Sequence, residues 1–100
     1  MTPGLYRHYK GGLYRALFVG RLSEARDQRV VVYVSLTNGE VWVRPLDDPN
    51  QDSWTDDVEW PDGVCRTRFF PVGPGLLDPF TGKRVPAFGS LNSSGDDNAR

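Results

Sequence analysis

The segment VVVYVSLTNGEVWVRP, residues 30–45, decides the fold. It opens with five consecutive β-branched or aromatic residues, which fit a pleated, buried surface, so residues 30–36 are predicted to form a strand. Asn38-Gly39 lies between two apolar runs and predicts a hairpin with a type I′ turn, which needs positive φ at both central residues. Residues 41–44 return as the second strand, and Pro45 ends it because proline cannot donate to a ladder.

Three more strands are predicted on either side of this hairpin. Residues 6–9 form a short aromatic run that Gly11-Gly12 ends, residues 13–21 alternate between two largely apolar sets, and residues 64–70 close the series. Residues 23–28 are polar and predict a loop. Five short strands joined by tight turns are typical of an all-β fold, here a small five-stranded roll or barrel.

An acidic excursion and a tail complete the predicted organisation. Residues 46–61 carry Pro49 and Pro61, and Trp54, Val58 and Trp60 are predicted to anchor this excursion to the core. The domain is predicted to cover residues 4–72. Residues 73–100 form a Pro/Gly-rich tail predicted to be largely irregular or disordered, since its last part has little to bury. Phe80 and Phe88 are the two tail side chains with enough apolar surface to dock.

Length and composition narrow the class of protein. One hundred residues make one domain. The lone Cys65 rules out an intrachain disulfide and a cysteine metal cluster, and it fits a reducing cytoplasm. No apolar run approaches the roughly 20 residues of a membrane span, and the first residues lack the apolar centre of a signal peptide. We expect a cytoplasmic protein with no membrane partner and no cofactor.

Charge is unevenly distributed along a chain of net charge −1. Residues 1–44 hold seven Lys or Arg against three acids, and residues 45–65 hold seven acids and no base. One interpretation is an ordinary solvated surface with an acidic loop. The other is a basic face that meets an anion, flanked by the acidic segment.

The run from Tyr6 to Lys10 is the first candidate site. Strand alternation places Tyr6 and His8 on one face and Arg7 on the other. Aromatic rings stack on bases or other planar groups, while Arg7 and Lys10 suit a phosphate or carboxylate. In the alternative, Tyr6 and His8 fill the edge of the core and the cations are solvated.

Trp42 and Arg44 form the second candidate, because they share a strand face and can place a guanidinium beside an aromatic shelf. The alternative is that Trp42 belongs to the core and Arg44 pairs with an acid of the following loop. Arg68 is the third candidate and lies on the same predicted face as Arg66. It can bind an anion, and the alternative is that it pairs with an acid of the Asp-rich loop.

Catalysis has weaker support than binding. His8 titrates near neutrality and is a possible general base, but no spacing indicates a nucleophile or an orienting partner. The aspartates of the excursion lack the calcium-loop pattern, and Cys65 is interpreted as a packing residue. We expect binding rather than catalysis, with enzyme activity left open.

The run Gly4-Leu5-Tyr6-Arg7-His8-Tyr9-Lys10-Gly11 resembles the opening of a bacterial family, domain of unknown function 1653. The resemblance continues in order to Phe69 through four further motifs: Ser23-Glu24, Val31-Val32-Tyr33, Trp42-Val43-Arg44-Pro45 and Arg68-Phe69. It implies an SH3-like barrel, and because the family has no established activity, no catalytic residue is carried over from it. The chain departs from the family where Arg21-Leu22 replaces a usual histidine, where Ser53-Trp54 replaces Met-Phe, and where Thr67 replaces a proline.

We therefore expect a small binding module for an anionic or nucleotide-like ligand, or for a peptide or other protein partner. The predicted ligand-binding residues are Tyr6, Arg7, His8, Lys10, Trp42, Arg44 and Arg68. Two alternatives stay open. One is nucleic-acid binding, which a pI of about 5.7 disfavours because phosphate contacts drive such affinity. The other is a self-associating structural unit, such as a homodimer paired through its edge strands.

Overall fold

The computed structural model describes residues 1–86, and every regular element in that range is a β-strand, which confirms the all-β prediction. The strands are β1 (Gly4–His8), β2 (Leu13–Leu22), β3 (Ala25–Ser35), β4 (Val41–Pro45), β5 (Asp57–Glu59), β6 (Cys65–Thr67), β7 (Phe69–Pro71), β8 (Leu77–Asp78) and β9 (Lys83–Arg84). The described residues contain no helix of the length and apolarity that a membrane crossing requires.

Five of these strands form one antiparallel sheet, which agrees with the predicted number of strands, and their order is β4-β3-β2-β1-β7. The chain order differs from the spatial order at one point, because β7 returns to pair with β1 after the acidic excursion. The remaining strands form two small antiparallel pairs, β5 with β6 and β8 with β9.

The loop predicted for residues 23–28 is wrong. β2 and β3 continue as one long hairpin whose ends, Leu22 and Ala25, pair across a turn at Ser23-Glu24. The tip is exposed on both faces, so its side chains carry no apolar alternation. Backbone pairing alone satisfies the N–H and C=O groups there, and hydropathy cannot reveal such pairing.

The hairpin at Asn38-Gly39 is confirmed, but its predicted turn type is wrong. Gly39 has φ of 75°, whereas no non-glycine residue of the described chain has positive φ, so Asn38 does not fit a type I′ turn. The loop spans four residues between Ser35 and Glu40, and the Gly39 N–H donates to the Ser35 carbonyl at 2.8 Å. Longer hairpin loops of this kind need only one left-handed residue, which glycine supplies.

The predicted final strand is divided in two. β6 pairs with β5 inside the excursion, and β7 pairs with β1, with Arg68 between them. Pairing with β5 was missed because residues 57–59 are mostly acidic and lack the apolar character of a strand.

The core lies on one face of the sheet and is largely aromatic. Trp54 and Phe69 stack with ring centroids 3.8 Å apart and an angle of 5°, and each is 2% exposed. Tyr6 and Tyr33 pack edge-on against Trp54 at 5.2 and 5.1 Å. Trp60 is also buried and donates from Nε1 to the Thr67 carbonyl. The excursion is therefore anchored by Trp54 and Trp60, as predicted, while Val58 is half-buried.

The chain continues past Val72 as the β8–β9 hairpin, which is held to β1 by a buried ion pair. Arg7 Nη2 donates to Asp78 Oδ2 at 2.6 Å, and the Asp78 side chain is only 6% exposed. The Phe80 ring lies under the Arg7 guanidinium, 5.7 Å from its carbon. Phe88 lies outside the described residues, and the division at residue 72 stays a prediction.

Candidate functional site

The inner face of the sheet is covered at one end and open at the other. Residues paired across antiparallel strands share a face, and the register pairs Tyr6 with Tyr14, Tyr14 with Ser35 and Tyr33 with Trp42. Trp54 belongs to the packed end. The open end forms a cleft of about 280 Å³. Its lining residues are Tyr14, Tyr33, Ser35, Asn38, Trp42 and Arg44.

Arg44 supplies the cation of this cleft. Its Nε lies 3.4 Å from the Tyr33 hydroxyl and its Nη1 3.3 Å from the Asp52 carbonyl. Within residues 1–86 no carboxylate lies within ion-pair distance of Arg44, and Nη2 makes no hydrogen bond there. The alternative in which Arg44 pairs with an acid of the loop is therefore wrong. A half-buried, unneutralised guanidinium is suited to bind a carboxylate or phosphate.

Trp42 forms a wall of the same cleft. Its side chain is 48% exposed, so the alternative that places Trp42 in the core is wrong. It pairs across the strands with Tyr33, which is only 5% exposed. An exposed indole beside a guanidinium gives a planar ligand one stacking surface and one charge partner.

His8 lies at the border of the cleft among aromatic rings. Its ring centroid is 4.8 Å from Phe69 and 6.2 Å from Tyr14, which itself lines the cleft. The Lys10 N–H donates to Nδ1 at 3.1 Å, so the proton of the neutral ring lies on Nε2. Burial, followed by the charges of Arg44, Arg68 and Lys10, lowers the pKa of His8 to about 4. His8 is therefore neutral at pH 7 and carries an N–H donor at Nε2.

A titration of the single histidine by NMR checks this assignment. We expect the C–H resonances of His8 to titrate near pH 4 and to stay constant between pH 6 and pH 8. Because the pKa of His8 is lower in the folded chain than in the unfolded chain, the unfolded chain takes up the proton first as the pH falls. The stabilisation that comes from the neutral, buried His8 is therefore complete above about pH 6.5 and is lost as the pH falls towards 4. Arg44→Gln should raise the pKa, whereas Arg15→Gln, on the opposite face, should leave it unchanged. A titration near 6.5 in the wild type would contradict the packing described for His8.

Arg68 and Lys10 extend the positive charge beyond the cleft. Arg68 lies 5.8 Å over the Tyr9 ring, donates to the Ser53 carbonyl, and approaches Asp52 and Asp56 at 3.8 and 3.5 Å. Its charge is thus partly compensated by the acidic loop, as one interpretation of the sequence expected. Lys10 is exposed, with its Nζ 5.7 Å from the Tyr9 ring centroid.

The structure brings five of the seven predicted site residues to one face. These are His8, Lys10, Trp42, Arg44 and Arg68, and we call them, with Tyr14 and Tyr33, the aromatic-basic face. Tyr6 is 7% exposed in the core, where its hydroxyl donates to the Thr2 carbonyl. Arg7 points to the other side of β1 and is occupied by Asp78. Tyr6 and Arg7 therefore serve packing and the hairpin contact in this structure.

Four residues that line the cleft were not predicted from the sequence as binding residues: Tyr14, Tyr33, Ser35 and Asn38. The alternation of residues 30–36 places Tyr33 on one face, but the pairing of Tyr33 with Trp42 depends on the length of the hairpin loop. A two-residue turn would shift the register between β3 and β4 and give Tyr33 another partner. The residues that line the cleft could therefore not be predicted without the length of this loop.

A second depression lies at the other end of the molecule. It has a volume of about 420 Å³ and is lined by Ala25, Arg26, Asp27, Gln28, Asp47, Asp48 and Pro49. Of its three aspartates, Asp47 pairs with Arg29 beside the depression. Residues 1–86 contain no group of three or more histidine, cysteine or acidic side chains placed to hold a metal ion.

Together these features define an all-β domain with a five-stranded antiparallel sheet and an aromatic-basic cleft on its inner face. The chain belongs to the DUF1653 family, described as a protein of unknown function, whose family model matches residues 4–71. It is similar to the crystal structure of a DUF1653 protein from Bordetella bronchiseptica. The two share 36% sequence identity and superpose with a TM-score of 0.59 over 73% of this chain and 88% of that one. No curated protein matches the chain.

Proposed function

We propose that this protein is a binding module whose cleft takes a small ligand with an anionic group and a flat or apolar part, such as a nucleotide, or the corresponding part of a peptide. The observation that carries the proposal is that exposed Trp42 and the Arg44 guanidinium line one cleft, and that Arg44 has no carboxylate partner among residues 1–86. A concave surface with a few convergent polar groups is the usual form of a ligand site.

Each part of the cleft has a role in this proposal. The Arg44 Nη2 group donates to the anion, and the Tyr33 hydroxyl and the Asp52 carbonyl hold the guanidinium in place. Trp42 stacks on the flat part, while Ser35 and Asn38 supply polar edges. Neutral His8 donates through Nε2 without adding charge, and Lys10 with Arg68 raises the local positive potential.

We further propose that the sheet is rolled in the manner of an SH3-like barrel. β1 pairs with both β2 and the returning β7, and the ten-residue β2 has a bulge between Ala16 and Phe18 that bends it. The stacked pair of Trp54, from the excursion, and Phe69, from β7, then fills the interior of the roll.

Arg44→Gln tests the cleft directly. With guanosine monophosphate, inorganic phosphate and an acidic aromatic peptide as probes, we expect at least one organic probe to bind the wild type and to quench tryptophan fluorescence. Loss of a charge-assisted hydrogen bond costs about 2 kcal/mol, so Arg44→Gln should weaken that binding by at least about tenfold. Trp42→Ala should weaken the organic probes but not phosphate, because phosphate has no planar part.

The matched control is Arg15→Gln, which removes an exposed arginine of β2 from the opposite face of the sheet. It should bind each probe as the wild type does. Equal losses in the two variants would indicate general electrostatic attraction. Absence of binding by all three probes, or binding that survives Arg44→Gln, would reject the cleft as the site.

Single-stranded nucleic acid is a second candidate ligand, supported by the cations and stacking rings that surround His8. Such binding depends on phosphate contacts, and each neutralised phosphate of a single strand contributes a slope of about −0.7 in a plot of log affinity against log salt. A mobility-shift titration with a short oligonucleotide from low to high salt distinguishes the two candidates. No shift at low salt would leave the small ligand or peptide.

A further inference from the structure

Strand β4 is an edge of the sheet, and its central residues are apolar and exposed. Val41, Trp42 and Val43 are 61, 48 and 58% exposed. Edge strands of natural proteins are normally protected by charges, bulges or a covering segment, because they offer unpaired backbone groups to another strand. Within residues 1–86 no backbone or side-chain group hydrogen-bonds to the outer edge of Val41 or Val43.

The ladder with β3 determines which backbone groups are free. The Ser35 N–H donates to the Glu40 carbonyl and the Leu46 N–H to the Arg29 carbonyl, so the even-numbered residues of this segment face β3. Alternation in an antiparallel pair then turns the N–H and C=O groups of Val41 and Val43 away from the sheet. Beyond them the edge is closed, because Pro45 has no N–H and its carbonyl accepts from the Trp54 N–H at 2.9 Å.

We propose that this edge pairs with β4 of a second copy of the chain, antiparallel about a two-fold axis at Trp42. In this register Val41 pairs with Val43 of the second copy, and the reverse pair is identical. The two pairs exchange four hydrogen bonds and satisfy every free N–H and C=O group of the open edge. Trp42 then lies opposite Trp42 of the second copy, so the two clefts adjoin across the axis.

Charge complementarity supports the same register. Trp42 and Arg44 share one face of β4, and the alternation continues to Glu40 directly before the strand, whose carbonyl accepts from the Ser35 N–H. The two-fold axis at Trp42 places Glu40 opposite Arg44 of the second copy. Opposite charges in directly opposed positions stabilise a strand pair. The Arg44 Nη2 group makes no hydrogen bond within residues 1–86, so Glu40 of the second copy and an anion in the cleft would compete for it.

Neighbouring registers leave groups unpaired. An axis at Val43 would require the Pro45 carbonyl, which the Trp54 N–H already occupies. An axis at Val41 would require the Gly39 N–H, which donates to the Ser35 carbonyl at 2.8 Å. Of these three positions for the two-fold axis, only Trp42 gives a register in which every hydrogen bond uses backbone N–H and C=O groups that are otherwise unpaired.

Sedimentation velocity from about 10 μM to about 1 mM tests the pairing. The contact is short, so we expect a weak dimer with a dissociation constant between about 1 μM and about 1 mM. Val43→Pro removes an outward N–H but no bond to β3, so this variant should stay folded by circular dichroism and remain monomeric over the whole range. A wild type that is monomeric at about 1 mM would overturn the proposal.

A charge exchange tests the register in a second way. Glu40→Lys places a lysine opposite Arg44 of the second copy in both symmetry-related pairs, and this repulsion should weaken the dimer about tenfold. Arg44→Glu, which places two carboxylates opposite each other, should weaken it by a similar factor. The double variant should recover the wild-type constant. Glu24→Lys, at the exposed tip of the β2–β3 hairpin, is the matched control and should have no effect. Failure of the double variant to recover dimerisation, or an equal effect of Glu24→Lys, would reject this register.

Discussion

Trp54→Ala is expected to lower the free energy of unfolding by about 4 kcal/mol, because truncation of a buried tryptophan leaves a cavity as well as losing apolar burial. Trp54 is 2% exposed, and its ring stacks on Phe69 and contacts Tyr6 and Tyr33 edge-on. A domain of this size has a total stability of roughly 5–15 kcal/mol, so this substitution should remove about a quarter or more of it. Urea titration followed by far-ultraviolet circular dichroism measures the difference without relying on the removed fluorophore.

Trp42→Ala is the matched control for this substitution. It removes the same side chain from an exposed position, where we expect a loss under about 1 kcal/mol. Comparable losses in the two variants would contradict the assignment of Trp54 to the core and Trp42 to the cleft wall. A loss under about 1 kcal/mol for Trp54→Ala would do the same.

Arg7→Met is expected to cost about 3 kcal/mol of stability, since it leaves the buried carboxylate of Asp78 without its charge partner. The guanidinium makes bonds from both Nε and Nη2 to Asp78 and a further bond from Nη1 to the Gly11 carbonyl. The substitution also removes the cation over Phe80. The double variant Arg7→Met with Asp78→Leu should lose less than Arg7→Met alone, because no buried charge remains.

The cost of Arg7→Met should depend on pH. Burial would raise the pKa of Asp78, but the hydrogen bonds from Arg7 and the Phe80 N–H outweigh it, and the pKa lies below its ordinary value. A lowered carboxyl pKa gives stability that is present above the unfolded value of about 3.9 and is lost as the pH falls through the folded value. The difference between wild type and variant should therefore be full at pH 7 and shrink below pH 4. Arg15→Met, in the neighbouring strand, should show a small and constant difference. A pH-independent loss would contradict a role for the ion pair.

The five-stranded sheet was predictable because its central hairpin is dense in β-branched and aromatic residues between clear turn signals. The anchoring of the excursion by Trp54 and Trp60 was predictable for a similar reason, since large rings in a polar segment have few places to go other than the core. The outward exposure of Trp42 was not, because a tryptophan in a strand fits a core wall and a cleft wall equally well.

The contacts that depend on distant pairing were missed. Asp78 lies in a segment without strong apolar character, and its partner Arg7 is 71 residues away in sequence. Arg7 was therefore assigned to a ligand, whereas the structure pairs it with the β8–β9 hairpin. His8 was assigned correctly to the face opposite Arg7 by simple alternation. Its low pKa depends first on burial and then on the charges of Arg44 and Arg68, and both causes arise only in the folded chain.

The binding role of the cleft is tested most directly by chemical-shift mapping of the wild-type protein with guanosine monophosphate and with an acidic aromatic peptide. A ligand in the cleft should shift the Trp42 indole N–H and the Arg44 Nε–H together, at the same half-saturation, with smaller changes at His8 and Tyr14. Shifts confined to residues 25–28 and 47–49, which line the depression at the other end of the molecule, would contradict the proposal, as would unchanged Trp42 and Arg44 resonances at saturating concentrations of both probes.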